Sequence, residues 1–150
     1  MLCKNKQRNG TASPCPLCWI GGFGVTAKKY LEQIELIQWK IAQKTRELDR
    51  LKRLNRDDLK EKITVLEEEI SADIASLYER RNEIVNRICE LNNKLFIDIL
   101  YRRYVIGEKN FFEIAYDMNY AYKYIINMHG VAIKLFEEIH HDILDGIQVE

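Results

Sequence analysis

The feature that most restricts the fold is a pair of long amphipathic segments that contain no proline. From Thr26 to Arg56 the apolar residues recur every three or four positions, and after a polar break at 55–58 a second stripe continues to Leu95. This spacing places apolar side chains along one face of a helix. The two stripes consist of Tyr30, Ile34, Ile37, Ile41, Leu48 and Leu51, and of Leu59, Ile63, Leu66, Ile70, Ile74, Leu77, Ile84, Ile88, Leu91 and Leu95.

The stripes predict an all-α protein with a long antiparallel helical hairpin or coiled coil at residues 26–97. A separate pattern in residues 113–130 predicts a helix-turn-helix domain at 98–145, which leaves a tail at 146–150. A short polar break between two long helices favours a hairpin within one chain. A continuous helix that pairs with a second chain would bury the same residues. The spacing alone does not choose between these two arrangements.

Residues 1–25 have no helical period and are predicted to be a disordered leader. One interpretation is an upstream extension of the reading frame, because Gly21-Gly22 can be encoded by a ribosome-binding sequence and Val25 by a bacterial start codon. The leader contains Cys15 and Cys18, which have half of a zinc-ribbon spacing without a second close pair. We therefore expect no metal, no cofactor and reduced thiols in the cytoplasm.

The composition narrows the functional classes. The 23 basic and 23 acidic residues cancel, so the overall charge does not predict a polyanionic partner. No apolar run reaches the length of about 18 residues that a membrane-spanning helix needs. The sequence also lacks a glycine-rich phosphate loop, a nucleophile elbow and a spaced carboxylate pair, so we expect no catalytic residues and no enzymatic activity.

A second pattern lies in "EIAYDMNYAYKYIINMHG", residues 113–130. Asn110 is placed to cap a helix over 111–118, and a further helix is predicted at about 122–139. A helix-turn-helix needs a small residue where its helices touch, which Ala115 supplies, and a turn residue that tolerates a left-handed conformation, which Asn119 supplies. The apolar anchors fall at Ile114, Met118, Tyr120, Ile125 and Met128.

In a helix-turn-helix, the early outward residues of the second helix meet base edges in the major groove. Here these residues are Tyr122, Lys123, Ile126 and Asn127, of which Asn127 suits adenine and Lys123 suits guanine or phosphate. The candidates for phosphate contact are Arg102, Arg103, Lys109 and Lys134. The tyrosines between 101 and 124 are predicted to be mostly core or boundary residues.

The segment "LYRRYVIGEKNFFEIAYDMNYAYKYIINMHGVAIKLFEEI", residues 100–139, resembles region four of bacterial sigma factors. With the chain start "TAKKYLEQI", it resembles more closely the small phage-encoded sigma-like regulators of the ArpU/RinA type. The resemblance implies a cytoplasmic, phage-associated regulator of transcription. This chain departs from the family pattern at Ala121, where members carry serine, and it lacks the arginines that members carry near Tyr124, Asn127 and Val131.

Two functions follow as hypotheses. In the first, the C-terminal module binds double-stranded promoter DNA, and the coil provides a homodimer contact or a contact to bacterial RNA polymerase. In the second, the same helical scaffold is a protein-interaction or assembly element that does not bind DNA. The low positive charge of residues 98–150, with five basic and nine acidic side chains, favours the second hypothesis.

Overall fold

The computed structural model describes residues 26–146, which contain seven α-helices and no strand. The all-α prediction is therefore confirmed for this part of the chain. The predicted leader, including Cys15 and Cys18, and the last four residues of the predicted tail lie outside the described residues. The helices are α1 (Ala27–Leu31), α2 (Gln33–Leu54), α3 (Lys60–Cys89), α4 (Lys94–Leu100), α5 (Phe111–Met118), α6 (Tyr122–Ile139) and α7 (His141–Gly146).

Helices α2 and α3 pack side by side in opposite directions. Asn55 ends α2 in a left-handed conformation with φ 48°, and a short 3₁₀ turn at Asp57–Leu59 leads into α3. Lys52 forms an ion pair with Glu67 at 2.6 Å, and Lys44 forms one with Asp73 at 2.7 Å. Nearer the chain start, the Tyr30 hydroxyl donates to Glu83 Oε1 at 2.9 Å. The partner numbers fall along α3 as the numbers rise along α2, so the two helices are antiparallel within one chain.

Helix α3 ends at Cys89, although the second apolar stripe predicted a helix that continues to Leu95. Asn92 adopts a left-handed conformation with φ 52°, which interrupts the helix. The Asn93 side chain then accepts a hydrogen bond from the Phe96 N–H at 3.3 Å and starts α4. Leu91 and Leu95 keep the 3–4 spacing across this break, but they pack into two different clusters.

The larger cluster, which we call the base core, joins the ends of the long helices to the C-terminal helices. Its members come from both sides of the predicted boundary at 97–98, so that boundary does not separate two cores. The fully buried Tyr30 and Phe136 rings, for example, lie with their centroids 5.9 Å apart. The base core contains Ala27, Tyr30, Leu31, Ile34, Ile84, Ile88, Leu91, Leu100, Tyr104, Val105, Ala132, Phe136 and Leu144.

Helix α4 continues into a π-helical turn at Tyr101–Ile106. Gly107 ends this turn with φ 90°, a left-handed conformation in which a side chain would be strained. Its N–H donates to the Arg102 carbonyl at 3.1 Å. None of the helices in residues 26–146 combines the length and the apolar character that crossing a membrane requires.

Candidate nucleic-acid interface

Helix α5 begins at a built cap. The Asn110 side-chain oxygen accepts a hydrogen bond from the Phe112 N–H at 3.0 Å. The Asn110 amide also donates to Glu113 Oε1 at 3.5 Å, which ties the cap residue to the first turn of the helix. Such caps satisfy N–H groups that have no partner inside the helix. The start of α5 is thereby fixed at Asn110.

The turn between α5 and α6 depends on Asn119. Its backbone has φ 58° and ψ 41°, the left-handed conformation that the sequence pattern requires at this position. The Asn119 N–H donates to the Tyr116 carbonyl at 3.1 Å, and the Tyr120 N–H donates to the Ala115 carbonyl at 2.9 Å. This pair of hydrogen bonds is a Schellman motif, which satisfies the last carbonyls of α5.

A second buried cluster, which we call the small core, holds α4, α5 and α6 together. Ile99, Ile114 and Ile125 have no exposed surface, and Ala115 is 3% exposed. Met118 and Met128 are half-buried against this cluster, together with Leu95 and Phe111. Ala115 is close-packed, as a small residue at a helix contact should be.

Tyr120 departs from the prediction that it is a core anchor. Its side chain is 46% exposed and does not belong to the small core. The residue follows the left-handed Asn119, and its ring packs on the surface beside Tyr124 with centroids 5.3 Å apart. Only four of the five predicted apolar anchors are therefore buried or half-buried.

The first turns of α6 present the four predicted base-contact residues to solvent. Tyr122, Lys123, Ile126 and Asn127 are all exposed. The Tyr122 ring stacks on the Phe112 ring of α5, with centroids 3.8 Å apart and an interplanar angle of 3°. Among the side-chain hydrogen bonds and ion pairs within residues 26–146, none involves Lys123 or Asn127. Both side chains are therefore available for an outside partner.

Three of the four predicted phosphate-contact residues already have partners inside the chain. The Arg102 guanidinium lies 3.3 Å from Asp117 Oδ2 and 3.6 Å from Glu108 Oε1. The Arg103 guanidinium lies 5.4 Å from the Tyr104 ring centroid and 5.6 Å from that of Phe111. Lys109 pairs with Glu35 of α2. Lys134 is exposed on α6.

These ion pairs reduce the positive field of the surface, but they do not hold the cations so tightly that a phosphate is excluded. Lys109 and Glu35 are both more than half exposed, and Arg102 is about one-third exposed. Ion pairs in such positions contribute about 0–1 kcal/mol, because water and salt screen them. A phosphate group could therefore displace the carboxylates at small cost.

His129 packs inside the module beneath this surface. Its Nε2 atom lies 2.9 Å from the Tyr104 hydroxyl, and its ring meets Phe111 edge-on at 5.0 Å. Burial, and to a lesser degree the nearby Arg103 charge, lowers the His129 pKa to about 4. The imidazole is therefore neutral at pH 7, and its tautomer decides whether the ring nitrogen or the hydroxyl donates. Burial likewise raises the Tyr104 pKa to about 12.

The structure also shows a group of exposed aromatic side chains, which includes tyrosines that the sequence pattern assigned to the core or its boundary. Tyr116 is 84% exposed and Phe112 is 61% exposed, both on α5. Tyr120 and Tyr124 lie on the adjoining turn and helix. We call Phe112, Tyr116, Tyr120, Tyr122 and Tyr124 the aromatic surface. The closely spaced tyrosines in the sequence could have indicated this aromatic surface, but their spacing does not show which way each ring points.

Comparisons of the chain with protein-family models, with curated proteins and with solved structures found no match. The resemblance to sigma-like regulators remains a prediction from residues 100–139 and the chain start.

Proposed function

We propose that this protein is a phage-type regulator of transcription whose α5–α6 unit is a helix-turn-helix that binds promoter DNA. One observation carries the proposal: Lys123 and Asn127 are exposed near the start of a helix whose orientation is fixed by a buried core and a Schellman turn. Groups that read base edges must be unpaired before binding and rigidly placed. This proposal places the protein in the cytoplasm, where the host genome and polymerase are.

The dimensions of α6 suit the major groove. The helix has 18 residues, which correspond to a length of roughly 27 Å. With side chains it is about 10–12 Å wide, close to the width of the groove. Asn127 would make a paired contact to adenine, and Lys123 would contact guanine or a phosphate. Tyr122 and Ile126 would supply apolar contact to a thymine methyl group.

A single module should hold DNA weakly. Each phosphate that a cation neutralises adds affinity through counterion release. Here Arg102 and Lys109 must first leave their carboxylate partners, and Lys123 and Lys134 are the exposed cations on α6. A second anchor is therefore part of the proposal, supplied by a second copy of the chain or by bacterial RNA polymerase. Two linked contacts raise the overall affinity without any new contact in either.

A protein-interaction role without DNA binding is the second candidate, and the aromatic surface favours it. Exposed aromatic rings are enriched at protein interfaces, since each buries a large area at a low entropic cost. The Phe112–Tyr122 stack partly covers the start of α6, where DNA contact would need open access. Under this candidate the surface would bind another protein, and duplex DNA would not compete for it.

The two candidates are separated by selection from a library of random-sequence duplexes with the full chain at low ionic strength. We expect an enriched sequence, and then a loss of about 5- to 150-fold in affinity for it when Asn127 is changed to alanine. Lys123→Ala should also weaken binding and make it less salt-dependent.

Asn86→Ala provides the matched control, because Asn86 is exposed on α3, outside the α5–α6 unit, and its side chain takes part in none of the hydrogen bonds found in residues 26–146. Circular dichroism of each variant checks that helix content is unchanged. If no sequence is enriched, or if Asn127→Ala and Asn86→Ala bind the selected duplex equally well, the DNA-reading proposal is wrong.

A further inference from the structure

The outer part of the α2–α3 pair has almost no buried core of its own. We call residues 35–83 the arm. Within it, Leu51 is the only buried side chain, whereas Ile34 and Ile84, just outside its limits, are fully buried in the base core. Ile74 is exposed, and the other positions of the two apolar stripes within the arm, such as Ile41 and Ile70, are half-buried. Where only two helices are in contact, the apolar side chains along their line of contact stay open to solvent on both sides. An arm of this kind lacks the third and fourth helices that would cover those side chains.

Six large apolar side chains remain exposed on the arm, and four of them lie at two matching levels along the helix pair. Near the tip of the arm, at the turn of residues 55–59, the Lys52–Glu67 pair sets the register of α2 against α3. Leu54 of α2 then lies level with Val65 of α3, and these side chains are 54% and 49% exposed. The Lys44–Asp73 pair sets the register nearer the base, where Trp39 and Tyr78 share one level. These two side chains are 58% and 60% exposed. A partner that covers the arm would therefore meet apolar groups near both ends.

The charges of the arm are divided between its two helices. Residues 40–56 contain seven basic and two acidic side chains. Residues 57–79 contain eight acidic and two basic side chains. Only some of these groups pair within the chain, as Lys44 and Lys52 do. Lys40, Arg46, Glu68 and Glu79 are exposed and belong to none of the ion pairs found in residues 26–146. The basic side of the arm, on α2, would therefore attract an acidic surface such as the α3 side of another arm.

We propose that the arm is a dimer interface that takes a second copy of this chain. The two arms lie side by side with their tips together, and α2 of one copy packs against α3 of the other. The two-fold axis runs along the arms. This arrangement brings each basic segment next to an acidic one. It also places the Leu54–Val65 level of one copy against the same level of the other, and the Trp39–Tyr78 level likewise.

The size of the arm is adequate for a stable dimer. Residues 35–54 of α2 extend over about 30 Å, and two helices side by side are about 20 Å wide. The face is therefore on the order of 600 Å², near the roughly 800 Å² per partner of a standard interface. Closing the four-helix bundle would cover the seam that is half-buried in one copy. This inference does not rest on DNA binding, because it follows from the burial and charge of residues far from α6.

The first test is the mass of the full chain in solution under reducing conditions, measured by sedimentation equilibrium at micromolar concentration. The expected result is twice the monomer mass. Leu54→Glu should weaken the dimer by about 30-fold or more, because it places a charge in the apolar contact where the Leu54–Val65 levels of the two copies meet. Ile106→Glu is the matched control, since Ile106 is 56% exposed outside the arm, and it should leave the dimer intact.

The second test exchanges the charges. One variant carries Lys40→Glu, Arg46→Glu and Arg53→Glu, and the other carries Glu61→Lys, Glu68→Lys and Glu79→Lys. Each variant alone should be monomeric with unchanged helix content by circular dichroism, and an equal mixture should form a heterodimer.

Two results would overturn the proposal. A wild-type chain that stays monomeric would assign the arm to a partner of different sequence. A mixture that fails to associate, when wild-type chains do, would rule out the contact between α2 and α3 of different copies.

Discussion

The start of α6 allows a direct test of helix capping, because α6 is the one long helix of the C-terminal module without a side-chain cap. Ala121 holds the N-cap position with φ −67° and ψ 140°, an extended conformation that is normal for a cap residue. Its methyl group accepts no hydrogen bond. By contrast, Asn110 caps α5 and Asn93 caps α4 with their side chains. We predict that Ala121→Ser stabilises the protein.

The expected gain follows from the geometry. Ala121 is exposed, so a serine hydroxyl can enter without a clash, and the backbone needs no change. The hydroxyl would accept a hydrogen bond from an N–H in the first turn, which is otherwise left to water. Exchanges between alanine and serine at N-caps change stability by about 1 kcal/mol. In a domain of this size, that corresponds to a rise in Tm of about 3–4 °C.

Urea denaturation followed by circular dichroism at a fixed protein concentration would measure this change. The midpoint should rise with an unchanged denaturant slope, since the folded surface is the same. Ala121→Val is the control, because valine tolerates the extended backbone but cannot cap. If the serine and valine variants unfold at the same midpoint, the N–H groups at the start of α6 are already satisfied and the reasoning is refuted.

Two further predictions concern charge. The folded His129 pKa of about 4 lies below its ordinary value of 6.5, so the unfolded chain binds the proton first. Stability should therefore fall as the pH drops from 6.5 to 4, by about 1–2 kcal/mol because solvent screens the partly exposed ring, and His129→Gln should remove that part of the slope in urea midpoints taken at each pH. Asp117→Asn removes the nearer of the two carboxylates that face Arg102. It should strengthen binding to a selected duplex at low salt, with a steeper salt dependence, when compared by fluorescence anisotropy with Glu138→Gln. Equal binding by these two variants would show that Arg102 does not contact phosphate.

Local sequence signals were sufficient where the structure depends on neighbouring residues. The 3–4 spacing predicted the long helices, and Asn110 and Asn119 take the conformations that their side chains favour. The end of α3 was missed for a physical reason. Leu91 and Leu95 keep the spacing of one helix face, yet they enter different cores on either side of the left-handed Asn92. Periodicity reports which face is apolar and does not report whether the helix is continuous.

The partners of the cations could not be read from the sequence. Arg102 and Asp117 are 15 residues apart, and Lys109 and Glu35 are 74 residues apart. The Lys109–Glu35 pair forms because the base core brings α2 beside the C-terminal helices, and the Arg102–Asp117 pair forms because the π-helical turn packs beside α5. Composition counted Arg102 and Lys109 among the available positive charges, whereas each already faces a carboxylate. The exposure of Tyr116 could not be predicted from the sequence for a similar reason, because it depends on how α5 is rotated against the small core.

The construction of α6 links the two proposals. Its C-terminal half carries Ala132 and Phe136 into the base core, where Phe136 packs against Tyr30 of α1. Its N-terminal half carries the exposed Lys123 and Asn127. One helix therefore belongs both to the foundation of the arm and to the surface that would meet DNA. Two copies joined through their arms would hold their two α6 starts at a fixed separation, because little can flex between arm and helix when both enter one close-packed core. A module with few free cations would then bind DNA through two such helices at once, with an affinity set by their spacing as much as by their contacts.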